Sequence, residues 1–266
     1  MQKLNRFQGW VLGVVFILGS ACKSADENRA PDLPPATSLT FDLGALEAAP
    51  SAAKNNLATA QGDYANFYNA WVRTAYVRLV AEGVVLVPAL TVAAVLQDQP
   101  EFVNGGWEWS RTVAQDNDVV LRIEGDPTAG WNTTLHVTNP SVTDFLWLAG
   151  HYDPDVTSGS WTIHNPELDA SADEALEISW IHVSAMERSV TYEIVDTTSD
   201  DVGDVLIFAE LGDDASISFT DASDAQGNGV IQWSKSTHAG SLTVPNYNDG
   251  LQACWDEAYL NDACPD

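Results

Sequence analysis

The feature that most constrains this chain is a change of hydrophobic period near Asp118. From there to the C-terminal region, short runs rich in Val, Ile, Thr, Trp and Tyr follow one another: Val119–Glu124, Asn132–Thr138, Thr143–Gly150, Ser160–His164, Ala175–Ser184, Ser189–Asp196, Asp204–Glu210, Ala215–Thr220, Val230–Ser236 and Ser241–Val244. Clusters such as Gly125-Asp126-Pro127, Asn139-Pro140, Asp153-Pro154-Asp155, Gly212-Asp213-Asp214 and Gly227-Asn228-Gly229 separate them. Gly, Pro, Asn and Asp each favour turns, so this punctuation marks about ten consecutive strands. Parallel strands need crossover connections of a dozen residues or more, usually helical, and these spacers are too short. The expected sheet is therefore an antiparallel meander.

Alternation gives the sheet one apolar face. Trp131, Thr133, Leu135 and Val137 share a side against Asn132, Thr134, His136 and Thr138. Leu176, Ile178 and Trp180 oppose Glu177 and Ser179, and Val190, Tyr192 and Ile194 oppose Thr191 and Glu193. Such a face must be covered. The residues before the sheet supply the cover. Leu57, Ala60, Tyr64, Phe67, Trp71, Ala75 and Arg78/Leu79 recur at helical steps, and Gly83 is the expected end of that helix. Val84 to Leu96 is a 13-residue apolar run. It is too short to span a bilayer, and Pro88 suits the first turn of a second helix. The expected fold is mainly β with N-terminal helices (α+β): a curved antiparallel meander of about ten strands wrapped on two helices. A closed barrel or a β-sandwich accommodates the same strands.

The first residues have a different character. Lys3 and Arg6 precede the apolar stretch Trp10 to Leu18, and Gly19-Ser20-Ala21 lead into Cys22. A basic region, a short apolar region and small residues make a secretory signal peptide. A cysteine after those small residues resembles the lipobox of bacterial lipoproteins, although Gly19 stands where that family prefers Leu. The resemblance implies a signal peptide over 1–21 and lipidation of Cys22, which would anchor the chain in a bilayer of the bacterial cell envelope. Lys23 rather than Asp follows Cys22, which under the enteric sorting rule points to the outer membrane. Residues 22–40 are rich in Pro, Ala, Ser and charge and read as a disordered tether, roughly 20 Å long on average. A single β-rich domain is expected over 41–266: a helical part to 115, the meander over 116–250, and a tail over 251–266.

The charge balance is lopsided: 11 Lys and Arg face 38 Asp and Glu, a net −27. Loss of Lys3 and Arg6 with a signal peptide would leave −29. So negative a surface repels nucleic acid and anionic headgroups, which rules out a nucleic-acid role. Of three cysteines, Cys254 and Cys264 remain once Cys22 is assigned to lipid. An even remainder in an exported protein suggests a disulfide pinning the tail, worth about 2–3 kcal/mol for so short a loop.

Chemistry-bearing motifs are scarce. His136, His151, His164, His182 and His238 are scattered, without metal-ligand spacing. No G-x-S-x-G elbow, P-loop, dinucleotide fingerprint or H-E-x-x-H helix occurs. The acidic pairs fall in turns, where Asp bonds its own backbone, and the stretch from Asp221 to Gly229 lacks the alternating ligands and closing Glu of a calcium loop. No catalytic residue, metal or cofactor is therefore expected. Tryptophan is the unusual component, with ten in the chain. Trp131, Trp147, Trp161, Trp180 and Trp233 alternate with polar neighbours across the meander, which places them inward as core or as the wall of an apolar ligand pocket.

Helices followed by a curved meander, behind an export signal, resemble the open half-barrel of bacterial lipoprotein carriers of the Lol type. The likeness rests on element order and the export signal, with no residue motif behind it. The expectation is a non-catalytic envelope lipoprotein that binds an apolar ligand, a lipid or acyl chain, or a protein partner. A glycan-binding or glycan-cleaving surface module and a purely structural lipoprotein are the alternatives.

Overall fold

The computed structural model describes residues 29–39, 43–54, 62–113, 116–165, 173–224 and 227–265. The signal segment and Cys22 lie outside them.

Fourteen antiparallel strands form one open sheet in strict sequence order. They are β1 (Glu101–Val103), β2 (Gly106–Val113), β3 (Asn117–Asp126), β4 (Gly130–Thr138), β5 (Phe145–Tyr152), β6 (Ser158–His164), β7 (Glu174–Ser184), β8 (Glu187–Ile194), β9 (Val205–Leu211), β10 (Asp214–Thr220), β11 (Gly229–Ser234), β12 (Gly240–Thr243), β13 (Ala253–Trp255) and β14 (Asn261–Asp262). The ten expected strands correspond to β3–β12. Two more precede them and two follow. The early pair turns at Asn104 and Gly105, both at positive φ, the backbone that a two-residue hairpin requires. The edge strands β1 and β14 are the shortest kind, three and two residues, which limits edge-to-edge pairing.

The meander gives the sheet two unlike rims. One carries the turns after β1, β3, β5, β7, β9, β11 and β13, which are two to five residues long. The opposite rim carries connections of three to ten residues. These are called the short-turn and long-loop rims below.

The expected alternation holds on the inner face. Leu121, Ile123, Leu135, Leu148, Tyr152, Ile163, Ile178, Trp180, Val190, Phe208, Ile217, Ile231 and Leu242 are all at most 2% exposed. Glycines let the large rings lie flat across neighbouring strands. A Cβ on Gly150 would sit 2.2 Å from the Trp161 ring, and one on Gly159 would sit 2.8 Å from Trp180. The ring covers the glycine's backbone and fills the space that a side chain would take.

The cover comes from the N-terminal third. The two helical stretches expected there run on as one 31-residue helix, α3 (Ala65–Val95), after the one-turn helices α1 (Gly44–Glu47) and α2 (Ser51–Lys54). Helix α3 is about 46 Å long. It packs at one end on β12–β14 and at the other on β2 and β3, so it bridges the two flanks of the curved sheet. Gly83 does not end it, and Pro88 lies inside it rather than in a first turn. The physical reason is burial. Val85, Pro88 and Val95 face the sheet at helical spacing and are buried, so tertiary packing outweighs the local cost of Gly and Pro.

The expected tether also changes character. Within 22–40, the described part from 29 onward packs on the sheet. Ala36–Ser38 forms a 3-10 turn, and Ser38 and Leu39 are buried. The Trp161 indole donates to Ser38 Oγ at 3.3 Å and the Tyr192 hydroxyl donates to the Leu39 carbonyl at 3.1 Å. Composition alone missed this because the partners that hold the segment lie more than a hundred residues away.

Candidate functional site

From Val84 to its end at Val95, α3 carries no charged residue. Its inner stripe is covered, but Val84, Val87 and Leu90 are 41, 54 and 61% exposed. A helix that is apolar all round is ordinarily buried all round, so this flank is an exception. Beside it, at the long-loop rim, lies an open groove of about 340 Å³. Val87, Leu90 and Ala94 form its helical wall, and Val119, Val137, Phe145 and Trp147 its sheet wall. The volume is at the lower end of the range for small-molecule sites.

A bulge aims Trp147 into this groove. Leu135 pairs with Leu148 and His136 with Leu146, leaving Trp147 as the extra residue on β5. An extra residue re-aims a side chain. Here it lets Phe145 and Trp147 face the groove while Leu148 and Tyr152 still face the core.

The polar groups at the mouth are neutral. Asn139 Nδ2 donates to Asn117 Oδ1 at 3.0 Å, and Asn139 Oδ1 accepts from the backbone N–H groups of Ser141 and Val142. Thr91 Oγ1 donates to the Val87 carbonyl, an internal helix contact. The nearby Arg111 is engaged elsewhere: it donates to the Ala94 carbonyl at 2.7 Å and pairs with Asp98 at 3.7 Å. Among the described residues, no charged side chain lines the groove.

The five sequence-selected tryptophans do not converge. Trp161, Trp180 and Trp233 are buried core residues. Trp131 and Trp147 are partly buried against that core, and Trp147 alone of the five lines the groove. No described tryptophan is exposed. Trp233 borders a second, shallower depression of about 630 Å³ near the Cys254–Cys264 disulfide. That depression is the larger, yet Trp233 and Trp255 there are almost wholly buried, and two of its three carboxylates serve local structure: Asp256 accepts from Ala258 and Leu260, and Asp262 from Ala263. We therefore take the apolar groove as the candidate site.

Four of the turn aspartates are likewise occupied. Asp126 accepts from Thr128, Asp196 from Thr198, Asp221 from Ser223 and Asp213 from Ser234 and Ser236. These hydroxyl bonds, reinforced by backbone N–H groups, hold all four carboxyls below the usual carboxylate range. No group of three or more His, Cys, Asp or Glu suited to a metal occurs among the described residues. No described helix is long and apolar enough to cross a membrane.

One charged group on the inner face went unanticipated. Arg188 Nε donates to Glu210 across β8 and β9, Lys235 approaches Glu210 at 3.6 Å, and the guanidinium lies 5.3 Å over the Phe208 ring. Arg188 and Glu210 are only 9 and 6% exposed. Alternation carried the signal: Arg188 is in phase with Val190 and Tyr192, and Glu210 with Phe208. Removing Glu210 would strand the buried Arg188 charge, so the pair is a structural contact between β8 and β9.

Comparison with known proteins finds no matching family model, no matching curated protein and no matching solved structure. The functional reading therefore rests on the residues themselves.

Proposed function

We propose that this chain is a non-catalytic, membrane-anchored envelope lipoprotein whose groove between α3 and β2–β5 holds an acyl chain or another apolar ligand. The observation that carries the reading is the uncovered flank of Val84, Val87 and Leu90 beside an apolar groove of about 340 Å³. Burying one such side chain is worth about 1.5–3 kcal/mol, a return that a ligand collects and water does not. Anchoring through Cys22, in the outer membrane given Lys23, follows from the lipobox-like segment. The half-barrel of Lol-type carriers offers an analogy of shape for a curved sheet with a helix against its concave face. Outward tryptophans beside paired carboxylates would favour the glycan reading, and the described residues present no such surface.

The test uses the full chain purified from a bacterial envelope, with native mass spectrometry before and after organic extraction, and titration with the neutral apolar dye N-phenyl-1-naphthylamine. We expect an extractable lipid mass and saturable dye binding. Leu90→Glu should weaken that binding at least about tenfold, because a charge on the groove wall costs more than 1.4 kcal/mol. Dye affinity equal in wild type and Leu90→Glu would overturn the reading.

A further inference from the structure

The mouth of the groove restricts which apolar ligand it can take. Three of its lining side chains are polar: Thr91, Asn117 and Asn139. Asn139 is held in one orientation. Its Oδ1 accepts from the Ser141 and Val142 N–H groups at 2.8 and 3.0 Å, which occupies both lone pairs. Its Nδ2 donates one of two hydrogens to Asn117 Oδ1 at 3.0 Å. The second hydrogen is what Asn139 offers to the groove. A flipped amide would set Nδ2 against two backbone N–H groups, so the donor cannot turn into an acceptor. Thr91 spends its hydroxyl hydrogen on the Val87 carbonyl at 2.8 Å.

Charge narrows the head group further. Asp116 and Asp118 stand on either side of Asn117, and Asp144 precedes Phe145. The two basic side chains nearby are engaged. Arg111 meets the Ala94 carbonyl and Asp98, and His136 Nδ1 lies 3.0 Å from the Asp144 carboxylate. A carboxylate head would enter this setting without a partner, against the field of a chain of net −27. An ammonium head would suit the field but has no acceptor for the Asn139 N–H. An uncharged carbonyl oxygen meets both conditions.

Volume sets the tail. The 340 Å³ of the groove equals about eleven water volumes at about 30 Å³ each, room for one chain of about ten carbons and too little for two.

We propose that the groove binds a single-chain, uncharged fatty-acid ester of about ten carbons. Its carbonyl oxygen accepts from Asn139 Nδ2, and its tail lies between Leu90 and Trp147. The proposal deepens, and rests on, the reading of the groove as an apolar-ligand site. It sets this chain apart from a carrier of free fatty acids, whose carboxylate calls for a cation at the mouth.

The experiment uses the full chain at about pH 8 and low salt. Methyl decanoate and decanoate, which is ionised at that pH, compete with N-phenyl-1-naphthylamine. We expect the ester to displace the dye at a concentration at least about tenfold lower than the carboxylate. Asn139→Asp separates recognition from polarity alone: Oδ1 still accepts from Ser141 and Val142, but the donor is gone. Ester affinity should fall at least about threefold, the worth of one hydrogen bond, with dye affinity unchanged. Val142→Lys adds a cation at the mouth and should tighten decanoate at least about threefold while leaving the ester unmoved. Equal displacement by ester and carboxylate, or an ester affinity unmoved by Asn139→Asp, overturns the proposal and spares the groove. A wild type that does not bind the dye overturns the functional reading and the proposal with it. Should Asn139→Asp lose dye binding as well, Val142→Lys decides, and an unchanged decanoate affinity there overturns the proposal.

Discussion

The two halves of helix α3 make opposite use of the same fold. The first half is fixed by specific contacts. Phe67 is fully buried and meets Trp255 and Tyr259 edge-on, with ring centroids 5.7 and 4.8 Å away. Asn66 donates to the Cys254 carbonyl at 2.6 Å and accepts from the Tyr247 hydroxyl at 2.7 Å, while its own N–H donates to Asn261 Oδ1. Arg73 donates to Asn246 Oδ1 at 2.7 Å. Among the described residues, the second half is tied to the sheet by Arg111 on the Ala94 carbonyl and by apolar contact on one side. Directional bonds cannot slide, whereas apolar faces accept any partner of suitable shape. The first half therefore locks the helix to the end of the sheet, and the second leaves a surface free for a ligand.

Four measurements would break or sharpen this contrast. The largest effect is expected from Phe67→Ala, which empties the aromatic lock and should cost about 3–5 kcal/mol in urea unfolding. A loss below about 1 kcal/mol would mean that the first half is not the lock. Next comes the disulfide, which closes a sequence separation of 10 and holds β14 against β13. Cys254→Ser with Cys264→Ser should cost about 2–3 kcal/mol, and hydrogen exchange should speed up at β13, β14 and residues 62–67 while β3–β5 stay protected. Uniform loss of protection would show that the tail stabilises the whole sheet. Asn66→Ala removes bonds on both sides of the junction and should cost about 1–3 kcal/mol by thermal melting. Smallest is Val87→Ser with Leu90→Ser. These side chains already face water, so stability should move by no more than about 0.5 kcal/mol while dye binding is lost. A drop as large as that of Phe67→Ala would place this flank in the core and remove the groove as a site.

Much of the sheet was legible in the sequence because a strand's alternation is local. Val119, Leu121 and Ile123 announce their face without knowledge of their neighbours. The short strands β1, β13 and β14 offered too few residues for a period, and only pairing reveals them. The groove was mostly illegible. Its walls come from residues near 90, 119, 137 and 145, and its tryptophan enters through a bulge that no periodicity anticipates. The other four selected tryptophans carried the same alternation signal as Trp147, yet Trp161, Trp180 and Trp233 fill the core and Trp131 packs partly buried against it. Alternation reports which face a side chain takes, not whether that face is already filled.

By itself, the sequence determined the antiparallel meander, the inward face of its strands and the pairing of its two C-terminal cysteines. These follow from periodicity, turn chemistry and composition, which act over a few residues or over the whole chain at once. Only the tertiary structure decided that α3 runs unbroken through Gly83 and Pro88, that residues 30–39 pack on the sheet, and where an apolar surface is left uncovered. Those outcomes depend on which distant surfaces meet. The free energy of burying Val85 and Val95 against the sheet exceeds any local preference at Gly83 or Pro88, and no local pattern records it.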